Sequence, residues 1–95
     1  MANDLTPTDG ARFLLERTAE HATSATYACT IATPDASFAL TATLSDDGTV
    51  ALEGEAPEEQ RAMLEMFAKL TARGAAKRRD DGLVVWPARI LRWRS

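Results

Sequence analysis

The side chains best suited to recognition chemistry lie in the last third of the chain, where Lys77, Arg78 and Arg79 are followed by Trp86, Arg89, Arg92, Trp93 and Arg94. Cations interleaved with indole rings are what a single-stranded nucleic acid needs, charge for the phosphates and flat surface for the bases. A second role suits the same residues. Arginines along the edge of a sheet discourage uncontrolled pairing, and a tryptophan in the apolar run Leu83-Val84-Val85-Trp86 belongs to a core. The sequence pI of about 5.0 favours this second role, because domains that bind nucleic acid are usually basic overall.

Other reactive residues form no constellation. The one histidine, His21, has Ser24 and Asp35 as neighbours in sequence, but no nucleophile elbow or oxyanion signature accompanies them. Cys29 stands alone between Tyr27 and Ile31, which reads as a small buried side chain and excludes both a disulfide framework and a multi-thiolate zinc site. Asp46, Asp47, Glu53, Glu55, Glu58 and Glu59 are acidic without calcium-loop spacing, and read as a solvated turn and helix start. The five glycines are scattered, so no phosphate-cradling loop is present. We therefore expect no catalytic residues, no metal and no cofactor.

Charge divides the chain. Residues 1–60 carry two basic against eleven acidic side chains, −9, and residues 61–95 carry nine against three, +6. Such polarity fits a basic arm, or two surfaces that attract one another within a fold or between subunits. The start, Met1-Ala2-Asn3-Asp4, is acidic and leads into no apolar segment, and no apolar run approaches the ~20 residues of a membrane span. A cytoplasmic protein with no membrane contact is the expectation.

The elements that must hold these residues follow from periodicity. Thr6, Pro7 and Asp9 suit a helix start, and Ala11, Leu14, Leu15, Thr18, Ala19 and Ala22 form a helical stripe with Phe13 at its margin, predicting a first helix to about His21. From Ser24 the period becomes two: Tyr27, Cys29 and Ile31 share a face, Pro34-Asp35 turns the chain, and Phe38, Leu40, Ala42 and Leu44 return it. Ser45-Asp46-Asp47-Gly48 makes a second turn into a strand with Val50 and Leu52. Pro57-Glu58-Glu59 opens a second helix whose inward stripe is Met63, Phe67 and Leu70, with Glu65 and Lys69 paired. Gly74 is a candidate helix end, though Ala75-Ala76-Lys77 can carry the helix on toward Arg79, and Asp80-Asp81-Gly82 is a turn. Leu83–Trp86 reads as a strand, and Pro87 marks an edge, a bulge or a turn into Arg89–Arg94.

The expected fold is one α+β domain over residues 1–95, ordered α-β-β-β-α-β with a further strand in question. Its antiparallel sheet carries two helices packed on one face. That order resembles the double-stranded RNA-binding domain, but Glu58 and Glu59 stand where that family presents lysines, and acids repel phosphate. The functional expectation is a non-enzymatic protein-interaction module, a homodimer or a binder of another protein. It would work through Lys77, Arg78, Arg79, Arg89, Arg92, Trp93 and Arg94, or through the threonine and alanine face of the sheet. Nucleic-acid binding by the same C-terminal segment is the alternative, and a small enzyme comes third.

Overall fold

The structure, a computed structural model, describes residues 10–94. Alternation of apolar and small polar residues builds its central strands as expected. These are β2 (Ser24–Ala32), β3 (Ser37–Ser45) and β4 (Val50–Glu53), joined by the Pro34 turn and by the Ser45–Gly48 turn, where Gly48 has φ 91°. Pro57 then starts α1 (Glu58–Arg73), with Glu58 and Glu59 in the first turn, where the partial positive charge of the free N–H groups favours acids. The helix does not end at Gly74. It bends there and continues as α2 (Ala75–Asp80), so the pair is one bent helix.

The first predicted helix is a strand. β1 (Ala11–Glu20) pairs antiparallel with β2, and on its other side with β5 (Arg89–Arg94), giving a five-stranded sheet in the order β4-β3-β2-β1-β5. The element order is β-β-β-β-α-β, with one helical unit after the sheet; the expected order, with two separate helices on one face, is wrong. The segment Ala11–Glu20 carries both periods. Ala11, Phe13 and Leu15 line one face of a strand, and all three are buried, whereas the helical stripe had left Phe13, almost wholly inaccessible, at its margin. β2 pairs with it from Arg12 to Glu20, with a bulge between Arg17 and Ala19, and β5 from Ala11 to Glu16, and pairing of this kind outweighs a local helical preference. With the leading helix gone, the likeness to double-stranded RNA-binding domains goes too. The expected helix cap at Thr6, Pro7 and Asp9 lies outside the described residues.

The core forms on the inward face of the sheet, from Phe13, Leu15, Tyr27, Cys29, Ile31, Leu40 and Leu44 against Leu64, Ala68 and Ala72 of α1, with Phe38, Val50, Leu52, Met63 and Phe67 partly buried around it. Phe13 and Phe67 meet edge to face with ring centroids 5.2 Å apart. Two expected core residues are placed differently: Leu14 lies on the opposite face of β1, and Leu70 is 58 % exposed. Among the described residues no helix is long and apolar enough to cross a membrane.

α1 packs over β3 and β4, which leaves the β1 side of the inward face to another element. The predicted strand Leu83–Trp86 does not form; residues 81–88 run as an irregular segment over that side, with Trp86 fully buried as a core residue. Three consecutive carbonyls of this segment each accept a side-chain donor. Arg78 Nε donates to Val85 O at 2.6 Å, Arg17 Nη1 to Trp86 O at 2.7 Å and the Tyr27 hydroxyl to Pro87 O at 2.7 Å. Arg17 and Tyr27 are opposite one another in the β1–β2 register, so the sheet presents two donors side by side to successive peptide groups. Such bonds replace the ladder hydrogen bonds that a non-strand segment lacks.

Two expectations follow. Trp86→Ala removes the ring that fills the core beneath this segment, and should cost about 3–5 kcal/mol in a urea or thermal melt; a change under about 1 kcal/mol would remove Trp86 from the core. The second concerns pH. Burial pushes the Tyr27 phenol from 10.0 up to about 12, against the opposing pull of the Arg17 and Arg78 charges. An unfolded chain loses this proton near pH 10 and the folded one near 12, so stability present below 10 declines as pH rises through that window. Tyr27 is the only tyrosine, so near-ultraviolet titration reads it alone. Ionisation at the ordinary value, with circular dichroism still native, would contradict the placement.

Candidate functional site

The two edges of the sheet differ in what their backbone offers. In β5, Arg17 N–H donates to Ala88 O at 2.9 Å in the same register as Leu15↔Ile90, Phe13↔Arg92 and Ala11↔Arg94. Antiparallel pairs alternate between bonded and non-bonded, so residues 88, 90, 92 and 94 turn their peptide groups toward β1. Arg89, Leu91 and Trp93 therefore turn theirs outward. Of these groups the Leu91 carbonyl accepts Arg92 Nη1 at 2.9 Å, from the adjacent side chain. Among the described residues β5 is an edge strand with a largely free row of donors and acceptors.

At the other edge, Ser45 N–H donates to Thr49 O at 3.0 Å in register with Thr43↔Ala51 and Thr41↔Glu53, which turns the carbonyls of Leu52 and Gly54 outward. Arg61, one turn into α1, covers both: Nη1 donates to Gly54 O and Nη2 to Leu52 O. Gly54 has φ 117°, and a Cβ there would stand 2.9 Å from Ala39 O, so glycine is needed to turn the chain back and bring Arg61 over the edge. β4 is thus short and blocked.

The charge division of the sequence becomes a spatial one. Glu53 and Glu55 lie at or just after β4, followed by Glu58 at the start of α1, and Arg89, Arg92 and Arg94 lie along β5, at the opposite edge of the sheet, although Glu59 and Arg94 line one depression.

Strand alternation splits the expected C-terminal cluster. Ile90, Arg92 and Arg94 share the inward side with Leu15, Phe13 and Ala11; Arg89, Leu91 and Trp93 share the outer side with Glu16, Leu14 and Arg12. Trp93 is 54 % exposed and Arg89 is exposed. Lys77, Arg78 and Arg79 are not brought to this edge as free cations. Lys77 pairs with Asp81 at 3.2 Å, Arg79 with Asp46 at 3.3 Å and with Ala22 O, and Arg78 holds Val85 O and Thr71 O. Arg78 lines a depression beside β5 while bound to its two carbonyls, Lys77 and Arg79 lie in surface ion pairs, and Arg89, Arg92, Trp93 and Arg94 are the cluster residues on the strand itself.

Beside β5 the inward surface is indented. A depression of about 210 Å³ lies between α1 and the strand, with Phe67, Leu70, Pro87 and Ile90 as its apolar lining and Arg92 at its rim. Near the start of α1 a wider one of about 420 Å³ has Phe13 and Met63 in its wall together with Glu59 and Arg94. Neither lining includes a histidine, cysteine or lysine; the wider one also includes Thr33 and Gln60.

The outer face of the sheet carries Thr26, Ala28, Thr30, Ala39, Thr41, Thr43 and Ala51, as the alternation implied. At its β1–β5 end it becomes more apolar, with Leu14 and Leu91 in register, and beside them Arg12 opposite Trp93. Arg12 is only 7 % exposed, and its Nε and Nη1 make no hydrogen bond among the described residues. His21 lies exposed in the β1–β2 turn and not at a helix end, so the dipole role expected for it disappears with the helix. Cys29 is buried, and burial raises its thiol to about 11. In the acidic turn the Thr49 hydroxyl and N–H donate to Asp47, which holds that carboxyl below its usual range and closes the turn. No three His, Cys, Asp or Glu side chains converge as metal ligands among the described residues.

In comparison with known proteins, the chain matches no family model, no curated protein and no solved structure.

Arg61 carries a direct test of the contrast between edges. Arg61→Ala uncovers the Leu52 and Gly54 carbonyls, and should increase concentration-dependent association in light scattering while the circular dichroism stays native. Unchanged scattering would mean that the length of β4 alone protects this edge.

Proposed function

We propose that the protein is a non-enzymatic interaction module that takes up an extended segment of a partner protein at the β5 edge. One observation carries the reading: of the two sheet edges, one has its outward carbonyls covered by Arg61, while the other turns the peptide groups of Arg89, Leu91 and Trp93 outward, where among the described residues only the Leu91 carbonyl is met, by the adjacent Arg92. Strand addition uses main-chain hydrogen bonds for affinity and alternating side chains for choice of partner. The supporting features are the exposed Trp93, a residue type enriched at the centres of interfaces, and the apolar depression beside Ile90.

The nucleic-acid reading draws less support. A single-strand platform sets rings and cations on one surface, whereas here Trp93 lies with Arg89 on the outer side and Arg92 and Arg94 lie on the inner one.

Leu91→Pro tests the proposal. Proline removes one outward N–H and no ladder bond to β1, so folding should survive with a loss of about 1 kcal/mol or less. We expect proteins retained by the immobilised wild type, in nuclease-treated extract of the source cells, to be lost from this variant. Retention of the same set by folded Leu91→Pro, or binding that disappears with nuclease, would overturn strand addition as the function.

A further inference from the structure

Resting on that reading of β5, we infer that its partner is an acidic extended segment and that Arg92 and Arg94 select it. β5 reads Arg-Ile-Leu-Arg-Trp-Arg with no acid, so it contributes arginine to both of its sides. The acids nearest them are Glu16 of β1, opposite Arg89, and Glu59, which lines a depression with Arg94, and three arginines against these two leave the edge net positive. These arginines act in two directions. A second copy docking on this edge would bring six arginines into a seam roughly 20 Å long at about 3.3 Å per residue. Exposed like charges at that spacing repel over a Debye length of about 8 Å, so the strand disfavours itself. An acidic strand meets the opposite condition and is drawn to the edge before it docks. Blocking of β4 by Arg61 removes the other self-pairing route, in which the acidic edge of one copy would meet the basic edge of the next.

The register sets the guest's side-chain pattern. Every strand pair in the sheet is antiparallel, and an antiparallel guest bonds to the outward groups of Arg89, Leu91 and Trp93. Its residues opposite Arg94 and Arg92 lie on the inward side and are acidic. The one opposite Ile90 lies on the same side, next to the depression formed by Phe67, Leu70 and Pro87, and is apolar. On the outer side, the residues opposite Trp93 and Leu91 are apolar, and the one opposite Arg89 is acidic. Written from its N-terminus, the guest reads Glu-Val-Glu-Val-Val-Glu.

The test uses this peptide with soluble flanks, its Glu→Gln and Glu→Lys versions, and a single-stranded oligonucleotide, each titrated into the full chain and read by amide NMR. The acidic peptide should shift the N–H signals of Arg89, Leu91 and Trp93. The Gln version should bind about tenfold more weakly, and the Lys version should not bind. Arg92→Gln/Arg94→Gln should weaken the acidic peptide several-fold at an unchanged melting temperature. Equal binding of all three peptides would overturn the charge selection and leave strand addition standing. Shifts at β5 from the oligonucleotide alone would assign the edge to phosphate, and a dimer at β5 in sedimentation would assign it to a second copy. Silence of all ligands at millimolar concentration would overturn the acidic guest, while the Leu91→Pro comparison independently decides whether β5 docks proteins at all.

Discussion

The arrangement of this protein depends on three consecutive carbonyls, those of Val85, Trp86 and Pro87, being held by Arg78, Arg17 and Tyr27. The segment that contains them has no strand or helix to satisfy its peptide groups, and it crosses the inward side of a sheet where bare carbonyls would cost about 1–3 kcal/mol each. Donors from α2, β1 and β2 meet them in sequence. Two of the donors are cationic, and hydrogen bonds to charged groups are the stronger kind. The consequence is positional: Trp86 is delivered into the core beneath the crossing segment, where it joins Phe13, Leu15 and Tyr27 in the cluster, and the chain leaves Pro87 aligned with the free side of β1. β5 is therefore placed by the crossing segment as much as by its own ladder.

From this placement follows the inequality of the edges. A sheet of five strands has two unpaired rows of peptide groups, and an unprotected row is a template for aggregation. At β4 the row is covered by a guanidinium that fits two carbonyls at once, a task for which the fork of arginine is suited and the point charge of lysine is not. At β5 the protection is electrostatic. Side-chain charge repels strands of the same sign, and of the outward groups only the Leu91 carbonyl is met by one of these side chains, that of Arg92, so indiscriminate pairing is discouraged while most of the row stays open. Opposite edges of one sheet thus use two solutions with different consequences, the first closing an edge and the second making it selective.

How much of this was legible in the sequence depended on whether the local signal had a competitor. The β2–β3–β4 meander, the helix starting at Pro57, the turn at Gly82, the burial of Cys29 and the Glu65–Lys69 pair, 3.0 Å apart, all follow from periodicity or turn chemistry with no rival reading. Ala11–Glu20 had a rival, because its apolar residues fit periods of 2 and 3.6 together, and the deciding partners lie up to 83 residues away, at Arg94. Leu83–Trp86 reads as a buried strand because it is apolar, yet Leu83 and Val84 are exposed, Val85 is partly buried and Trp86 alone is fully inside, with the carbonyls of the segment held by the three donors. The role of Arg61 had no sequence signal. It is an ordinary helix arginine until the positive φ of Gly54 folds the start of α1 back over β4.

The error in the first element was also an error about the site. With a helix in place of β1, the C-terminal arginines have no neighbour to set their orientation, and Arg89, Arg92, Trp93 and Arg94 can be imagined as one basic and aromatic patch. Pairing with β1 gives each a face. Arg92 falls opposite Phe13 and Trp93 opposite Arg12, so the ring and two of the three cations separate to opposite sides of a sheet only one strand thick. That parity is rigidly specified, because slipping β5 by one residue would expel Ile90 from the core and bury Arg89 or Leu91 in its place. A surface for stacked bases needs ring and cation together, whereas a strand docking edge-on meets both sides at once. It is the burial of Ile90, a residue with no recognition chemistry of its own, that sets on which side of the sheet each arginine lies.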